Sequence, residues 1–159
     1  MKNIYAPWRM KYIVAPKKDE RCIFCCLPQE DCDEENMILF RGDKCFVIMN
    51  AFPYNPGHLM VAPYLHTAEF ESLDSEILLE MQLLAGRCLK ALDKSMSPQG
   101  FNMGINIGKV AGAGIDCHLH LHIVPRWNGD TNFMPVLSDV RVVAESLNET
   151  YIKLKRAWS

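Results

Sequence analysis

Apolar and polar residues alternate in five short segments of the chain, and each segment is typical of a β-strand. Turn-forming residues separate the segments, among them Gly42-Asp43 and the proline-containing loop AFPYNPGH. The predicted strands are 37–41, 45–49, 58–63, 101–108 and 117–124.

Two further segments carry apolar residues at helical spacing. The first predicts a helix over 72–94, with Asp74 as its N-cap and the sequence SPQG after it as a stop signal. The second predicts a helix from about Ser138 to Trp158. Its apolar face would consist of Val140, Val143, Leu147, Tyr151 and Leu154. Strands, a helix, further strands and a helix in this order favour an α+β domain built on an antiparallel sheet.

The chain of 159 residues is long enough for one globular domain and short for two. Charged residues make up 23% of it and the formal net charge is −2, which argues against a nucleic-acid partner or a membrane-bound surface. We expect a single domain over 1–159. Its four parts would be an N-terminal arm (1–20), a cysteine-containing loop (21–36), a core (37–127) and a C-terminal loop and helix (128–159).

No apolar run approaches the roughly 20 residues of a membrane span, and the N-terminal residues lack the apolar centre of a signal peptide. We therefore expect a soluble, cytoplasmic protein. Its seven cysteines are an odd number in a chain of sufficient size to fold without disulfides, so reduced thiols or metal ligands are expected.

Three of the five histidines lie in the sequence CHLHLHIVPRW, at alternate positions of the last predicted strand. His118, His120 and His122 would share one face of the strand, and the apolar residues between them would pack on the other. Burying three imidazoles brings no packing advantage and demands partners for six ring nitrogens, so we expect a functional face. Two chemistries fit: a metal site made by all three rings, or a nucleophile flanked by two histidines.

A glycine-rich bend, GKVAGAGI, leads into this histidine segment. Small residues allow backbone N–H groups to approach an anion closely, which a phosphate requires and a bare metal site does not. The bend therefore favours a nucleophile that acts on a phosphate compound.

Cys22 and Cys25, in the sequence CIFC, have a spacing that can place two thiolates on one tetrahedral metal ion. Alone they make half a site, and two free thiols are an equally good interpretation. Cys26 and Cys32 leave the assignment open further, because either could replace Cys25 or bind nothing.

The sequence HLHLHIVPR resembles the signature of the histidine-triad (HIT) family, and NPGHLMVAPYLH is similar to the upstream strand of that family. The resemblance covers roughly residues 22–127. The sequences APWRMKYI and PRWNGDTNFMPV are similar to the branch of bacterial diadenosine polyphosphate phosphorylases and related HIT proteins.

The resemblance implies a HIT-like fold and an enzyme that binds an adenosine-containing nucleotide. The middle histidine, His120, would attack the α-phosphorus of a dinucleoside polyphosphate or another AMP conjugate and form a covalent nucleotidyl intermediate. A neutral imidazole is a competent nucleophile near pH 7, and no catalytic cofactor is expected. Water as the second acceptor would give a hydrolase and phosphate a phosphorylase, and the sequence does not separate the two.

The resemblance also implies roles for the residues around His120. His122 would hydrogen-bond near the phosphate or the leaving group, and the backbone of Cys117 would accept a hydrogen bond from the other ring nitrogen of His120. His58 would contact these residues rather than the substrate. The substrate-binding residues would be Asn50, Asn106, Gly112, Ala113, Gly114, Ile115, His120 and His122.

Two of these positions need comment. Asn50 matches a ribose-binding polar residue, although a turn-forming asparagine is an alternative. Many relatives carry a polar Ser or Gln in the bend before the triad, where this chain has Ala113-Gly114-Ile115, so backbone contacts would have to replace that side chain.

The resemblance further implies a structural zinc site made by Cys22, Cys25, His66 and His118, and a homodimer to which the helix around 74–95 could contribute. Two other classes stay open. One is a nucleotide-binding or interaction protein with slight catalysis, and the other is a metal enzyme that uses all three histidines of the triad as ligands.

Overall fold

The computed structural model of the protein describes residues 22–130 and 145–158. Five strands form one antiparallel sheet in the order β1-β2-β3-β5-β4. The strands are β1 (Ile38–Arg41), β2 (Cys45–Met49), β3 (Leu59–Pro63), β4 (Gly100–Ile105) and β5 (Leu121–Arg126). The α-helices in the described ranges are α1 (Ile23–Cys26), α2 (Ser75–Met96) and α3 (Leu147–Ala157). The predicted α+β class, with about five antiparallel strands and two main helices, is confirmed.

The last strand begins later than its sequence pattern indicates. Leu121 pairs with Val61 of β3 on one side and with Ile105 of β4 on the other, and the pairing of β5 ends there. The segment 117–120 continues past the sheet and has no ladder partner in the part of the chain that the structure describes. The amide of Leu119 donates a hydrogen bond to the carbonyl of Thr67 at 2.8 Å. His122 therefore lies within β5, whereas the other two histidines of the triad precede it. β4 also ends earlier than predicted, at Ile105.

Side-chain alternation in the strands separates two apolar clusters on opposite faces of the sheet. On one face α2 packs against β2, β3 and β5, and Leu119, Leu121 and Ile123 join this main core as predicted. The other face carries the triad histidines and a smaller cluster. This smaller cluster consists of Phe24, Ile38, Phe46, Ile48, Met60 and Ala62.

The predicted N-cap of the long helix is confirmed. The side chain of Asp74 accepts a hydrogen bond from the amide of Ile77 at 2.8 Å and satisfies one of the free N–H groups of the first turn. The helix ends at Met96, and its C-cap residue Ser97 has a φ of 46°, in the left-handed region typical of helix termination. Neither α2 nor another helix in the described ranges has the length and apolar character that a membrane crossing requires.

The C-terminal helix differs from the prediction of one continuous helix from Ser138. The backbone of Ser146 is extended, and a capping box between Ser146 and Glu149 begins α3 at Leu147. Residues 138–144, with the predicted apolar positions Val140 and Val143, lie outside the described residues. Tyr151 anchors α3 to the edge of the sheet, because its hydroxyl donates to the carbonyl of Ile38 at 3.0 Å.

Candidate functional site

The three triad histidines are almost fully buried on the sheet face opposite α2. Their side chains point to three different partners: His118 toward the cysteines of α1, His120 toward the main chain and His122 toward His58. Both ring nitrogens of His118 already have partners outside the triad. The geometry therefore argues against a metal enzyme in which the three rings share one ion.

The ring of His120 has a defined orientation and tautomer. Its Nδ1 lies 2.8 Å from the carbonyl oxygen of His118 and donates to it, so the lone pair of the neutral ring is on Nε2. Within the described part of the chain this Nε2 has no hydrogen-bond partner. The role predicted for the Cys117 backbone is wrong, because Nδ1 of His120 donates to the carbonyl of His118 instead.

A chain of hydrogen bonds fixes the tautomer of His122. The backbone N–H of Tyr54 donates to Nδ1 of His58 at 3.1 Å. A ring nitrogen that accepts carries no proton, so the proton of His58 is on Nε2. This Nε2 lies 2.9 Å from Nδ1 of His122 and donates to it. His122 must therefore carry its own proton on Nε2.

The Nε2–H group of His122 is buried and lacks a partner among the described residues. Leaving a buried donor unsatisfied costs about 1–3 kcal/mol, so this position suits an acceptor that a ligand brings. The rings of His120 and His122 are neighbours, with centroids 4.6 Å apart. Neighbouring rings thus supply a lone pair and an N–H group, the two groups that attack on a phosphorus atom beside an anionic oxygen requires.

Burial keeps both rings uncharged at neutral pH. Desolvation, with a smaller contribution from nearby His120, lowers the pKa of His122 from 6.5 to about 4. Desolvation also lowers the pKa of His120, although its hydrogen bond to the carbonyl of His118 opposes this effect. A proton therefore does not block the lone pair of His120 at pH 7.

Asn50 has the turn-forming role that was its alternative interpretation. Its Oδ1 accepts a hydrogen bond from the amide of Phe52 at 2.8 Å, and its Nδ2 lies 3.3 Å from Nδ1 of His58. These contacts order the loop that supplies the Tyr54 amide. A ribose contact by Asn50 stays a prediction.

The glycine-rich bend lies beside Asn106 at the end of β4. Gly108 and Gly112 have φ angles of 82° and 92°, a region that favours glycine, and an added Cβ at Gly112 would lie 3.8 Å from Nδ2 of Asn106. The amides of Gly112 and Ala113 donate to carbonyls within the bend. This counts against the anion contacts predicted for these two amides.

The last two residues of the bend are better placed for the predicted anion contacts. Within the described ranges the amides of Gly114 and Ile115 make no backbone hydrogen bond, so the predicted anion contacts fit these two groups better. Ile115 also packs against the smaller apolar cluster, on the same side of the sheet as the triad.

The four predicted metal ligands lie together at the start of the triad. The Sγ atoms of Cys22 and Cys25 and the Nδ1 atoms of His66 and His118 are all within 4.8 Å of one another. The two Nδ1 atoms are 3.2 Å apart, and Sγ–Nδ1 distances are 3.2 to 3.5 Å. A tetrahedral ion with bonds of about 2.0–2.3 Å would separate its ligands by similar distances.

The orientation of His118 supports the metal assignment. Its Nε2 lies 2.8 Å from the carbonyl of Pro63 and donates to it, so Nδ1 presents a lone pair to the two thiols and to His66. A backbone carbonyl behind a histidine is the usual arrangement of a metal ligand. Two thiolates and two imidazoles form a donor set that fits zinc.

Two contributors to the site were missed from the sequence. Phe24 lies between the two cysteine ligands, and its ring centroid is 4.7 Å from that of His120. The apolar residue inside CIFC was the available signal for this contact. The tautomer-fixing amide of Tyr54 has no sequence signal, because any residue other than proline could supply it.

The sheet, the triad and the four-ligand cluster together define a histidine-triad fold. The sequence of residues 33–129 matches the family described as the HIT domain. The chain belongs to this family.

Named relatives agree in class with the enzyme expected from the sequence. A protein of Mycobacterium tuberculosis named AP-4-A phosphorylase is 35% identical over 167 aligned positions, which cover 100% of this chain and 85% of the relative. The bis(5'-adenosyl)-triphosphatase of Dictyostelium discoideum is 29% identical and matches 58% of this chain and 61% of its own length.

A solved structure resembles the fold and is described as zinc-bound. The Zn-bound histidine triad family protein from Mycobacterium smegmatis superposes with a TM-score of 0.70 and 29% identity, covering 86% of this chain and 92% of the other. The ion in its description is the one that the donor set of this chain suits.

Proposed function

We propose that the protein transfers AMP from a dinucleoside polyphosphate such as diadenosine tetraphosphate to inorganic phosphate. The observation that carries this proposal is the lone pair on Nε2 of His120 next to the ring of His122, whose Nε2–H has no partner among the described residues. The match to the relative named AP-4-A phosphorylase, which covers 85% of that relative, favours this substrate and this acceptor.

In the first step Nε2 of His120 attacks the α-phosphorus. A P–N bond forms while the P–O bond to the remaining phosphates breaks, and its electron pair leaves with ATP when the substrate is diadenosine tetraphosphate. The Nε2–H group of His122 donates a hydrogen bond to a phosphate oxygen as negative charge develops there. In the second step an oxygen of inorganic phosphate attacks the nucleotidyl-histidine, the P–N bond breaks and ADP forms.

His120→Asn tests the first step. The variant should lose turnover by at least about 10³-fold and form no AMP adduct on the protein, since the amide of asparagine is not a nucleophile. Quenched reactions with diadenosine tetraphosphate, followed by mass analysis of the protein, would show the adduct in the wild type alone. Lys94→Asn, at an exposed position near the end of α2, is a control that leaves all five histidines in place. Normal turnover by His120→Asn would contradict the mechanism.

The acceptor is tested by the products. Phosphorolysis gives ADP and ATP from diadenosine tetraphosphate, whereas hydrolysis gives AMP and ATP. Isotopically labelled phosphate should enter ADP in the proposed reaction. AMP formation at the same rate with and without phosphate would make the protein a hydrolase instead.

The proposal includes zinc at the four-ligand cluster, cytoplasmic localisation and a homodimer. Leu79 and Leu83 on α2 are each 61% exposed, and Met103 lies on β4, the edge strand of the sheet, with 43% exposure. A second copy could cover both features at once. Sedimentation of the wild type and of Leu83→Glu would separate a dimer from a monomer.

A further inference from the structure

His118 links the metal cluster to the nucleophile through a single residue. Its Nδ1 lies 3.3 Å from Sγ of Cys22 and belongs to the four-ligand cluster. The carbonyl of the same residue accepts the hydrogen bond from Nδ1 of His120 at 2.8 Å. A change in the backbone of His118 would therefore alter the metal cluster and the support of His120 together.

Phe24 makes a second connection between the same two places. It lies in α1, between the cysteine ligands, and is 1% exposed. Its ring centroid is 4.7 Å from that of His120, with 35° between the planes, and 5.3 Å from that of His118. The aromatic ring thus packs directly against the proposed nucleophile.

The position of Phe24 depends on the cysteine ligands. The α1 helix has only four residues, and so short a helix has no stability of its own. Its N-cap residue, Cys22, makes no side-chain capping hydrogen bond. The attachment of Cys22 and Cys25 to a shared ion would fix both ends of the segment that carries the Phe24 ring.

We infer that Phe24 and His118 transmit metal occupancy to the nucleophile, with Phe24 as a positioning residue that holds the His120 ring with Nε2 toward the substrate. This inference rests on the proposed function for its catalytic consequence. A single hydrogen bond from Nδ1 leaves the imidazole able to tilt about that bond, and the packed phenyl ring removes this freedom. Misplacing a reacting group by about 1 Å can cost about 10²-fold in rate, so the restraint matters.

The direct test observes the His120 ring. In ¹⁵N-labelled protein loaded with Zn²⁺, the ring should give one sharp set of signals with the proton on Nδ1. Phe24→Leu, which keeps an apolar side chain at the position, should broaden or split these signals in protein that still holds one equivalent of zinc. Phe46→Leu is the matched control, because Phe46 lies in the same cluster, 6.4 Å from the Phe24 ring.

The second part of the test changes the zinc content of the wild-type protein. Removal of zinc with a chelator should give His120 the same broadened signals as Phe24→Leu, and added Zn²⁺ should restore the sharp set. Circular dichroism checks that the sheet persists. If the metal-free protein unfolds, His66→Asn, which removes one of the four ligands and keeps the other three, takes its place and should broaden the same signals.

Kinetics with diadenosine tetraphosphate supply the second readout. Phe24→Leu should lower kcat about 10-fold to 100-fold and change KM less than about 2-fold, whereas Phe46→Leu should leave both near the wild-type values. Phe24→Tyr, which keeps the ring, should restore most of kcat.

Two results would overturn the inference: His120 signals that stay unchanged either in Phe24→Leu or after zinc removal, or equal effects of Phe24→Leu and Phe46→Leu. Failure of the proposed function is recognised separately. In that case the wild-type protein forms no AMP adduct, while the ring signals of His120 still report the contact.

Discussion

At the scale of single residues, position in the strand pattern predicted which histidines share a face, but not what each ring does. Alternation alone predicts that the three histidines lie on one side of the segment and the leucines on the other. The structure confirms this, because the leucines join the main core and the histidine rings lie next to one another and to Phe24. The tautomer of His122 depends on the Tyr54 amide acting through His58. Such a contact depends on tertiary structure, and no local pattern encodes it.

The low pKa of His122 has a consequence for stability. In the unfolded chain a histidine binds its proton near pH 6.5, but the folded protein resists protonation of His122 until about pH 4. The stability due to the neutral ring is present above about pH 6.5 and is lost as the pH falls through about 4, because the unfolded state binds the proton first. Between pH 7 and pH 5 the loss should be about 2 kcal/mol.

His122→Asn should remove this part of the pH dependence. The free energy of unfolding is measured with urea and excess zinc at pH 7 and at pH 5. Its decrease between the two pH values should be about 2 kcal/mol smaller in the variant than in the wild type. Met60→Leu alters the residue paired with His122 in β3 without removing a titrating group, so its pH dependence should match the wild type. Identical slopes for His122→Asn and the wild type would show that the ring is not the cause.

At the scale of elements, the long helix was predicted closely because its N-cap and apolar face agree with one another. The C-terminal helix was predicted too long because apolar positions before Ser146 suggested that the periodicity continued. The sequence SLNE at 146–149 is itself a capping-box pattern and marks the observed start. Cap chemistry therefore locates this helix end better than periodicity does.

The capping box makes a specific prediction for α3. Ser146→Ala removes the acceptor for the amide of Glu149 and should lower the free energy of unfolding by about 1 kcal/mol. Chemical denaturation measures this change. Glu149→Gln retains a side chain that can complete the box and should cost less. A loss for Glu149→Gln as large as that for Ser146→Ala would contradict the assignment of the serine as the main cap.

At the scale of the whole molecule, the metal cluster joins parts of the chain that are far apart in sequence. Cys22 and His118 are separated by 96 positions, and His66 lies between them in sequence. The position of these ligands came from the family resemblance rather than from spacing, since CIFC alone is half a site. The structure brings the four together, and occupancy by zinc would make metal binding part of folding.

Thiol labelling tests this arrangement across the molecule. Cys45 and Cys88 are buried, and burial raises the pKa of both thiols, that of Cys45 to about 12, so neither should react in the folded protein. The zinc-loaded protein should then react at three of its seven cysteines: Cys26, Cys32 and Cys117.

Removal of zinc should add the two ligand thiols to the reactive set, and denaturant should add the last two. Mass analysis after labelling with a maleimide counts the modified positions. Rapid labelling of Cys22 and Cys25 in zinc-loaded protein would count against their role as ligands. Labelling of Cys45 before unfolding would contradict its burial in the core.

The pairing of β5 stops at Leu121, and this affects the rate of amide hydrogen exchange in the backbone around the nucleophile. Main-chain amides inside a sheet exchange with deuterium only when the ladder opens. In the segment 117–120, by contrast, the one backbone-to-backbone bond among the described residues is that from the amide of Leu119 to Thr67. Deuterium should therefore enter this segment through small local openings, long before it enters the neighbouring residues of β5. A nucleotide seated on the histidines would slow that entry without changing the exchange of the strand, which makes isotope uptake at these few amides a measure of occupancy.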